Sequence, residues 1–235
     1  SAMTTAQRLE RVKQGKKDPD LLEQLFQFGR FCTIVHTRPG QLPCGLQGLW
    51  NPELRAAWMG CYFLNINSQM NQWPSHVTGL GEFQNSYLDF VRSLRPHGEK
   101  FARFIKRDGF CFGHYTDCWK RTYFSGNNPE WGASLMNGAW ACAHLVDSYR
   151  FTGDREDLKK SLPILESNAR FIMSWFEDDG EGRYLPGPGV SPETGFYAPD
   201  GTGPNVLSYV SNGASHDQLL GRESLRNYIY ACGEL

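Results

Sequence analysis

The strongest constraint on this chain is a four–three spacing of apolar residues in two consecutive stretches, the mark of helices with one buried face. Leu135, Ala139, Cys142, Val146 and Tyr149 fall on one face of a first helix, and Leu165, Ala169, Ile172 and Phe176 on one face of a second. Gly153-Asp154 punctuates the join between them. Pro163 suits the first turn of the second helix, with Ser161 or Leu162 just before it. Further helices are expected at 20–36, 82–94, 97–107 and 215–232, with Pro96 breaking or kinking the run between the middle pair. Alternation of the strand type is scarce, so the expected class is all-α. At 40% hydrophobic and 14% aromatic, the 235 residues suffice for a substantial core.

Three long connections, 37–62, 108–132 and 179–214, are rich in glycine and proline and hold Trp50, Trp58, Trp119 and Trp131. Connections this long in a helical domain usually carry function. Indole and phenol rings in them suit either of two duties, covering the C–H face of a sugar or plugging the ends of a helical bundle.

Charge and cysteine usage exclude several classes. With 24 basic and 25 acidic residues and no basic run, a nucleic-acid partner is not expected. No apolar stretch reaches the ~18 residues of a membrane span. Seven cysteines, an odd number without CxxC spacing, read as buried free thiols rather than a zinc site or a disulfide framework, although one pair can be oxidised in an exported protein. No metal or other cofactor is expected. Ser1-Ala2-Met3 reads as a vector remnant, and residues 1–19 as that remnant plus a linker helix.

Several blocks can carry chemistry. Asn65-Ile66-Asn67-Ser68-Gln69-Met70-Asn71-Gln72-Trp73-Pro74 is dense in carboxamides, which donate and accept together and can orient sugar hydroxyls or a water. Asn65 and Asn67 share a face in an extended segment, Asn67 and Asn71 in a helix. Taken alone, the block equally suits a structural role at a helix start. Ser191-Pro192-Glu193 places a carboxyl after a proline that fixes the backbone; in isolation such a glutamate reads as a solvated charge. His114-Tyr115-Thr116-Asp117-Cys118-Trp119 offers a ligand contact or a local hydrogen-bonded turn, and Asp217, at the start of the last helix, has the position of a cap. No nucleophile elbow accompanies these residues, and no histidine pair has metalloprotease spacing.

Taken in order, the blocks LFQFGRFCTIVHTRPGQLPCGLQGLWN, W-x-x-x-Y-x-x-NINSQMNQWP, HYTDCW, NGAWACAHLVDSYRFTGD and VSPETGF resemble glycoside hydrolase family 95, the inverting α-L-fucosidases and their relatives, across nearly the whole chain. The resemblance implies an (α/α)6 toroid, incomplete here, with residues 20–235 as its N-terminal portion. It implies hydrolysis with inversion of terminal α-linked L-fucose or L-galactose from an oligosaccharide, and a periplasmic or extracellular setting. Glu193 matches the general acid, and Asn65 and Asn67 match the asparagines that hold the attacking water. Trp58, Asn71, His114, Asp117, Trp119 and Asp217 are the substrate-binding candidates. The family's base, in a motif like D-G-N-F-G, is absent from these residues, so this chain is expected to be inactive alone. Self-association through the open half of the barrel is expected too. Cys44-Gly45, Phe63-Leu64, Tyr115 and His216 replace the family's usual Ala-Asn, His-Thr, Asn and Met. Two other readings are a non-catalytic glycan-binding or structural fragment, and a barrel enzyme for another sugar, such as a uronic acid met by Arg38, Lys120 or Arg121.

Overall fold

The computed structural model describes residues 3–122, 129–191, 193–197 and 207–235. Eight helices dominate it: α1 (Thr5–Lys13), α2 (Pro19–His36), α3 (Asn67–Gln72), α4 (Gly81–Phe104), α5 (Pro129–Gly132), α6 (Asn137–Thr152), α7 (Arg155–Trp175) and α8 (Ser215–Glu234). Strands of two or three residues pair antiparallel: β1 (Tyr62–Phe63) with β2 (Tyr115–Thr116), β3 (Phe176–Asp178) with β4 (Tyr184–Pro186), β5 (Gly189–Val190) with β8 (Val210–Ser211), and β6 (Phe196–Tyr197) with β7 (Leu207–Ser208). The described residues are therefore helix-rich, with strands serving only to clip loops together.

The core lies where α4, α6, α7 and α8 pack on one another. The stripes read from sequence face inward: Leu135, Ala139, Cys142, Val146, Leu165, Ala169 and Ile172 are all buried, and Tyr149 and Phe176 pack at the edge. Gly153 ends α6 in the left-handed conformation (φ 67°), and the Asp154 carboxylate caps α7 by accepting from the Glu156 and Asp157 N–H groups.

Both prolines behave differently from expectation. Pro96 does not divide a helix, since α4 runs unbroken from Gly81 to Phe104. Pro163 does not open α7, which starts eight residues earlier at its Asp154 cap. Each lies on the exposed side of its helix, where the carbonyl it leaves unbonded can turn to water. The penalty of about 3 kcal/mol per interior proline is outweighed by the apolar face each helix buries, Leu94, Phe101 and Ala102 on α4 and Ile164, Leu165, Phe171 and Ile172 on α7.

At the N-terminal end, α1 and α2 are joined by a fork. Arg8, only 5% exposed, donates from Nε to Asp18 Oδ2 at 2.8 Å and from Nη2 to Oδ1 at 2.5 Å. Asp18 also caps α2 through Leu21 N–H, and the Arg8 guanidinium holds its carboxyl at about 2. No residue of α2 is fully buried; Leu22, Leu25, Phe26, Phe28 and Phe31 stand exposed, and with Leu9 and Val12 of α1 some of them line an apolar groove of about 830 Å³. Among the described residues no helix is long and apolar enough to cross a membrane.

Gly98 on α4 is where helix propensity and packing oppose each other. A Cβ there would sit 2.3 Å from the Phe110 ring and 2.6 Å from the Cys111 carbonyl oxygen. Gly98→Ala gains up to about 1 kcal/mol in helix propensity but forces an overpacked core costing ~1–3 kcal/mol, against backbone that cannot swing aside. The expected result is a net loss of about 1–2 kcal/mol, read from the urea midpoint at unchanged slope.

Candidate functional site

Strand pairing assembles the first half of the site. Tyr62 lies opposite Thr116 and Phe63 opposite Tyr115, and Leu64 N–H donates to the His114 carbonyl at 2.9 Å. The carboxamide block and the HYTDCW block, some 50 residues apart in sequence, thereby become neighbours. The chain turns through Leu64–Ile66 and enters α3 at Asn67. Of the geometries open to the block, the Asn65–Asn67 stretch takes the turn and helix start. Asn67 and Asn71 do share a helical face, and Asn65 and Asn67 are both half-buried.

α3 rests on a buried polar layer. Gln69 Nε2 reaches back to the Leu64 carbonyl, tying the helix to the residue before Asn65. Gln72 Nε2 donates to Thr37 Oγ1 at 3.4 Å and approaches Cys44 Sγ at 3.7 Å, while Asn71 Nδ2 stands 4.0 Å from the same sulfur. Beneath, Gln84 Nε2 bonds the Gln72 carbonyl at 3.3 Å and sits 3.1 Å from His144 Nδ1. The asparagines are therefore held from below by Gln69 and Gln72 of their own block and by Gln84 and His144, which motif reading did not single out. The signal was present: Gln84 and His144 occupy core positions of α4 and α6, where apolar residues are the rule.

The remaining HYTDCW residues divide. His114 is buried, its ring edge-on to Phe63 (5.1 Å) and Trp131 (5.4 Å), and burial pushes its basicity down, favouring the neutral ring. Asp117 makes the local turn: it accepts from Trp119 N–H at 2.9 Å, Arg121 N–H at 3.3 Å and the Arg121 guanidinium. Partial burial alone would raise its carboxyl, but these donors outweigh it and hold Asp117 below the usual range. Trp58, in a turn of positive φ, and Trp119 are exposed at 63% and 77%, available for a sugar face.

The second half of the site lies between β5 and α8. Glu193 follows β5 in a turn closed by Thr194 N–H donating to the Ser191 carbonyl (3.1 Å); it is exposed, with φ 60°. Pro192 lies outside the described residues. Asp217 is not the cap expected of it. α8 starts after Ala214 without any side-chain cap, and Asp217 turns inward, 0% exposed, with Oδ1 3.2 Å from His216 Nδ1. Burial raises its carboxyl above the ordinary value, opposed in part by His216. The two halves are linked by rings: Trp73, at the end of α3, meets Trp140 at 6.4 Å, and Trp140 meets His216 at 6.4 Å.

Half-buried carboxamides and exposed indole rings are groups that can orient a neutral, hydroxyl-rich ligand. All seven cysteines are free thiols, and among the described residues no group of histidines, cysteines and carboxylates converges as metal ligands would.

The whole chain, residues 1–235, matches the Glycosyl hydrolase family 95 catalytic domain. The chain belongs to that family. Its relatives include Alpha-L-fucosidase 2 of Arabidopsis thaliana, 36% identical over 212 residues, which cover 89% of this chain and 25% of the plant protein. Probable alpha-fucosidase A of Aspergillus niger is 31% identical over 185 residues, 76% of this chain and 23% of the fungal protein. The family 95 chain thus spans about a quarter of the length of these relatives.

The layer under α3 makes stability depend on acid. Burial holds His144 at about 4, below its ordinary 6.5. Between those values the unfolded chain binds a proton that the folded chain does not, so stability falls as pH drops from 6.5 towards 4 and is unaffected by this group above 6.5. At ~1.36 kcal/mol per unit, the loss is about 2–3 kcal/mol. His144→Gln should remove that dependence, so urea melts at pH 7 and 4.5 should show the variant losing about 2–3 kcal/mol less than wild type.

Proposed function

We propose that these 235 residues carry the acid and the water-holding groups of an inverting glycosidase that removes terminal α-linked L-fucose, or L-galactose, from oligosaccharides. The observation that supports it best is the family 95 match along the entire chain, combined with the β1–β2 pairing that sets the Asn65–Asn67 block beside His114 and Tyr115. In this reading Glu193 protonates the leaving oxygen. Asn65 and Asn67 hold the water on the opposite face, and Trp58, Asn71, His114, Asp117 and Trp119 shape the sugar site; Asp217, a substrate-binding candidate by sequence, is fully buried and does not reach the sugar. Residues 20–235 form the N-terminal portion of an (α/α)6 toroid.

Inversion needs a protonated carboxyl and a base roughly 6.5–9.5 Å apart, with a water between base and sugar. Asparagines orient a water but do not take its proton, and the family's D-G-N-F-G-like motif is not among these residues. The chain alone therefore lacks its base. The apolar face of α2 and the groove beside it are the surface through which it self-associates. A glycan-binding role without catalysis is the second reading, favoured by that same missing base. The uronic-acid reading is less favoured, because the Arg121 guanidinium is already paired with Asp117.

The test is release of L-fucose or L-galactose from an α-linked aryl glycoside or α1,2-linked oligosaccharide, by this chain and by a longer one carrying the downstream aspartate. Turnover is expected only from the longer chain, falling about 10²–10⁴-fold in Glu193→Gln and in Asn65→Ala. Robust turnover by the 235 residues would mean the base lies among them. Turnover by neither would favour the binding role. Sedimentation of the 235-residue chain should show association that weakens on Phe28→Glu.

A further inference from the structure

The carboxyl of Asp217 is completely buried, yet it is not in a purely apolar pocket and caps no helix. It presses on the strand that leads to Glu193. A Cβ built on Gly189 would fall 2.1 Å from Asp217 Oδ2 and 3.4 Å from the Trp175 ring, so Oδ2 lies directly against the β5 backbone. Oδ2 has no hydrogen-bond partner among the described residues, while Oδ1 is engaged by His216. Along its edge β5 is paired with β8, Gly189 opposite Ser211 and Val190 opposite Val210, while the carboxyl lies on its face. β8 leads within four residues into α8, whose first turn carries Asp217. One short strand is thus clamped between its ladder partner and a buried carboxyl from the same connection. The same seating continues upstream, where Gly213 N–H donates to the Pro186 carbonyl at 2.7 Å and a Cβ on Gly187 would meet Asn212 Oδ1 at 2.3 Å. Glu193 follows Val190 by three residues, in a turn with positive φ, so its direction is set by where β5 sits.

We propose that Asp217 is a positioning residue: its carboxyl, oriented by His216, seats the Gly189–Val190 strand and thereby aims the Ser191–Thr194 turn that carries Glu193. Asp217 touches backbone rather than sugar. Gly189 is required because any side chain there would displace that carboxyl. His216 has a second neighbour in Trp140, whose other neighbour is Trp73 at the end of α3, so the brace is continuous with the element holding Asn67. The proposal rests on Glu193 being the general acid for its catalytic meaning, but not for its structural content.

Hydrogen exchange on the 235-residue chain tests the structural content without any sugar. Asp217→Ala should speed exchange of the Val190, Glu193 and Thr194 amides about tenfold or more, leaving the α6 and α7 amides unchanged. Asp217→Asn, of the same shape, should restore slow exchange. Gly189→Ala should speed exchange at the same amides, and adding Asp217→Ala should give little further acceleration, because both break one contact. Uniform acceleration across α6 and α7, or none at 190–194, would overturn the proposal. The catalytic meaning is read in a longer, active chain by a double-mutant cycle. Asp217→Ala should lower kcat with KM little changed, and should have no further effect once Glu193→Gln is present, because one acts through the other. Additive losses would overturn the positioning role. Full activity of Glu193→Gln would instead overturn the acid assignment, with the exchange result still deciding whether Asp217 seats the strand.

Discussion

Most of this architecture depends on one non-helical segment, Gly109–Phe112, packed against the helices. Phe110 N–H donates to the Ser167 carbonyl at 2.8 Å, and the Phe110 carbonyl accepts from Asn168 Nδ2 at 3.0 Å, so the segment is bonded to α7 on both sides. Its two phenylalanines are fully buried. Such close passage tolerates no side chain at the contacts. Gly98 of α4 abuts Phe110, and Gly109, at φ +72°, would place a Cβ 2.0 Å from the Ser167 carbonyl oxygen. Two residues beyond Phe112 the same segment presents His114, whose carbonyl receives Leu64 N–H. The position of the carboxamide block is therefore inherited from the packing of α4, α6 and α7 on this segment. A core substitution there reaches the site through backbone.

The helices were legible because their stripes are regular and their ends are chemically marked. Gly153 and Asp154 punctuate α6 and α7 as their residue types dictate, and Ala139, Cys142, Leu165 and Ile172 fill the core as the spacing requires. The prolines misled for one reason. A proline rule weighs a lost hydrogen bond and a clash, both local, whereas α4 and α7 are held by long buried faces formed by residues on either side of Pro96 and Pro163. Where the lost bond faces water and the stripe continues, tertiary burial wins.

The site was legible as blocks and not as geometry. The order of the blocks identified the family, but nothing local says that residue 64 bonds residue 114, since a two-strand clip of two residues leaves no alternation to read. Asp217 illustrates the same limit. An aspartate in the first turn of a helix is ordinarily a cap or a dipole partner exposed to water. Here the approach of Gly189, 28 residues upstream, closes over it, and burial turns a surface charge into a core group. The polar layer of Gln72, Gln84 and His144 was hidden because each residue is unremarkable alone, and only their convergence gives them a role.

These features bear on how inversion is organised in the proposed reading. The reaction places an acid and a held water on opposite faces of one sugar ring, at a separation that must not drift. In this chain the two groups are carried by different connections, and each has its own buried support: Gln69, Gln72, Gln84 and His144 under α3, and Asp217 against β5. The supports meet through Trp73, Trp140 and His216. Trp140 belongs to α6 and His216 to the first turn of α8, two helices packed directly on each other in the core. In the proposed reading, the packing of α6 on α8 is then one link between the supports of the two groups. Long glycine- and proline-rich loops can carry such groups because a few loop residues are fixed, by short strand pairs and by side chains rooted in helices.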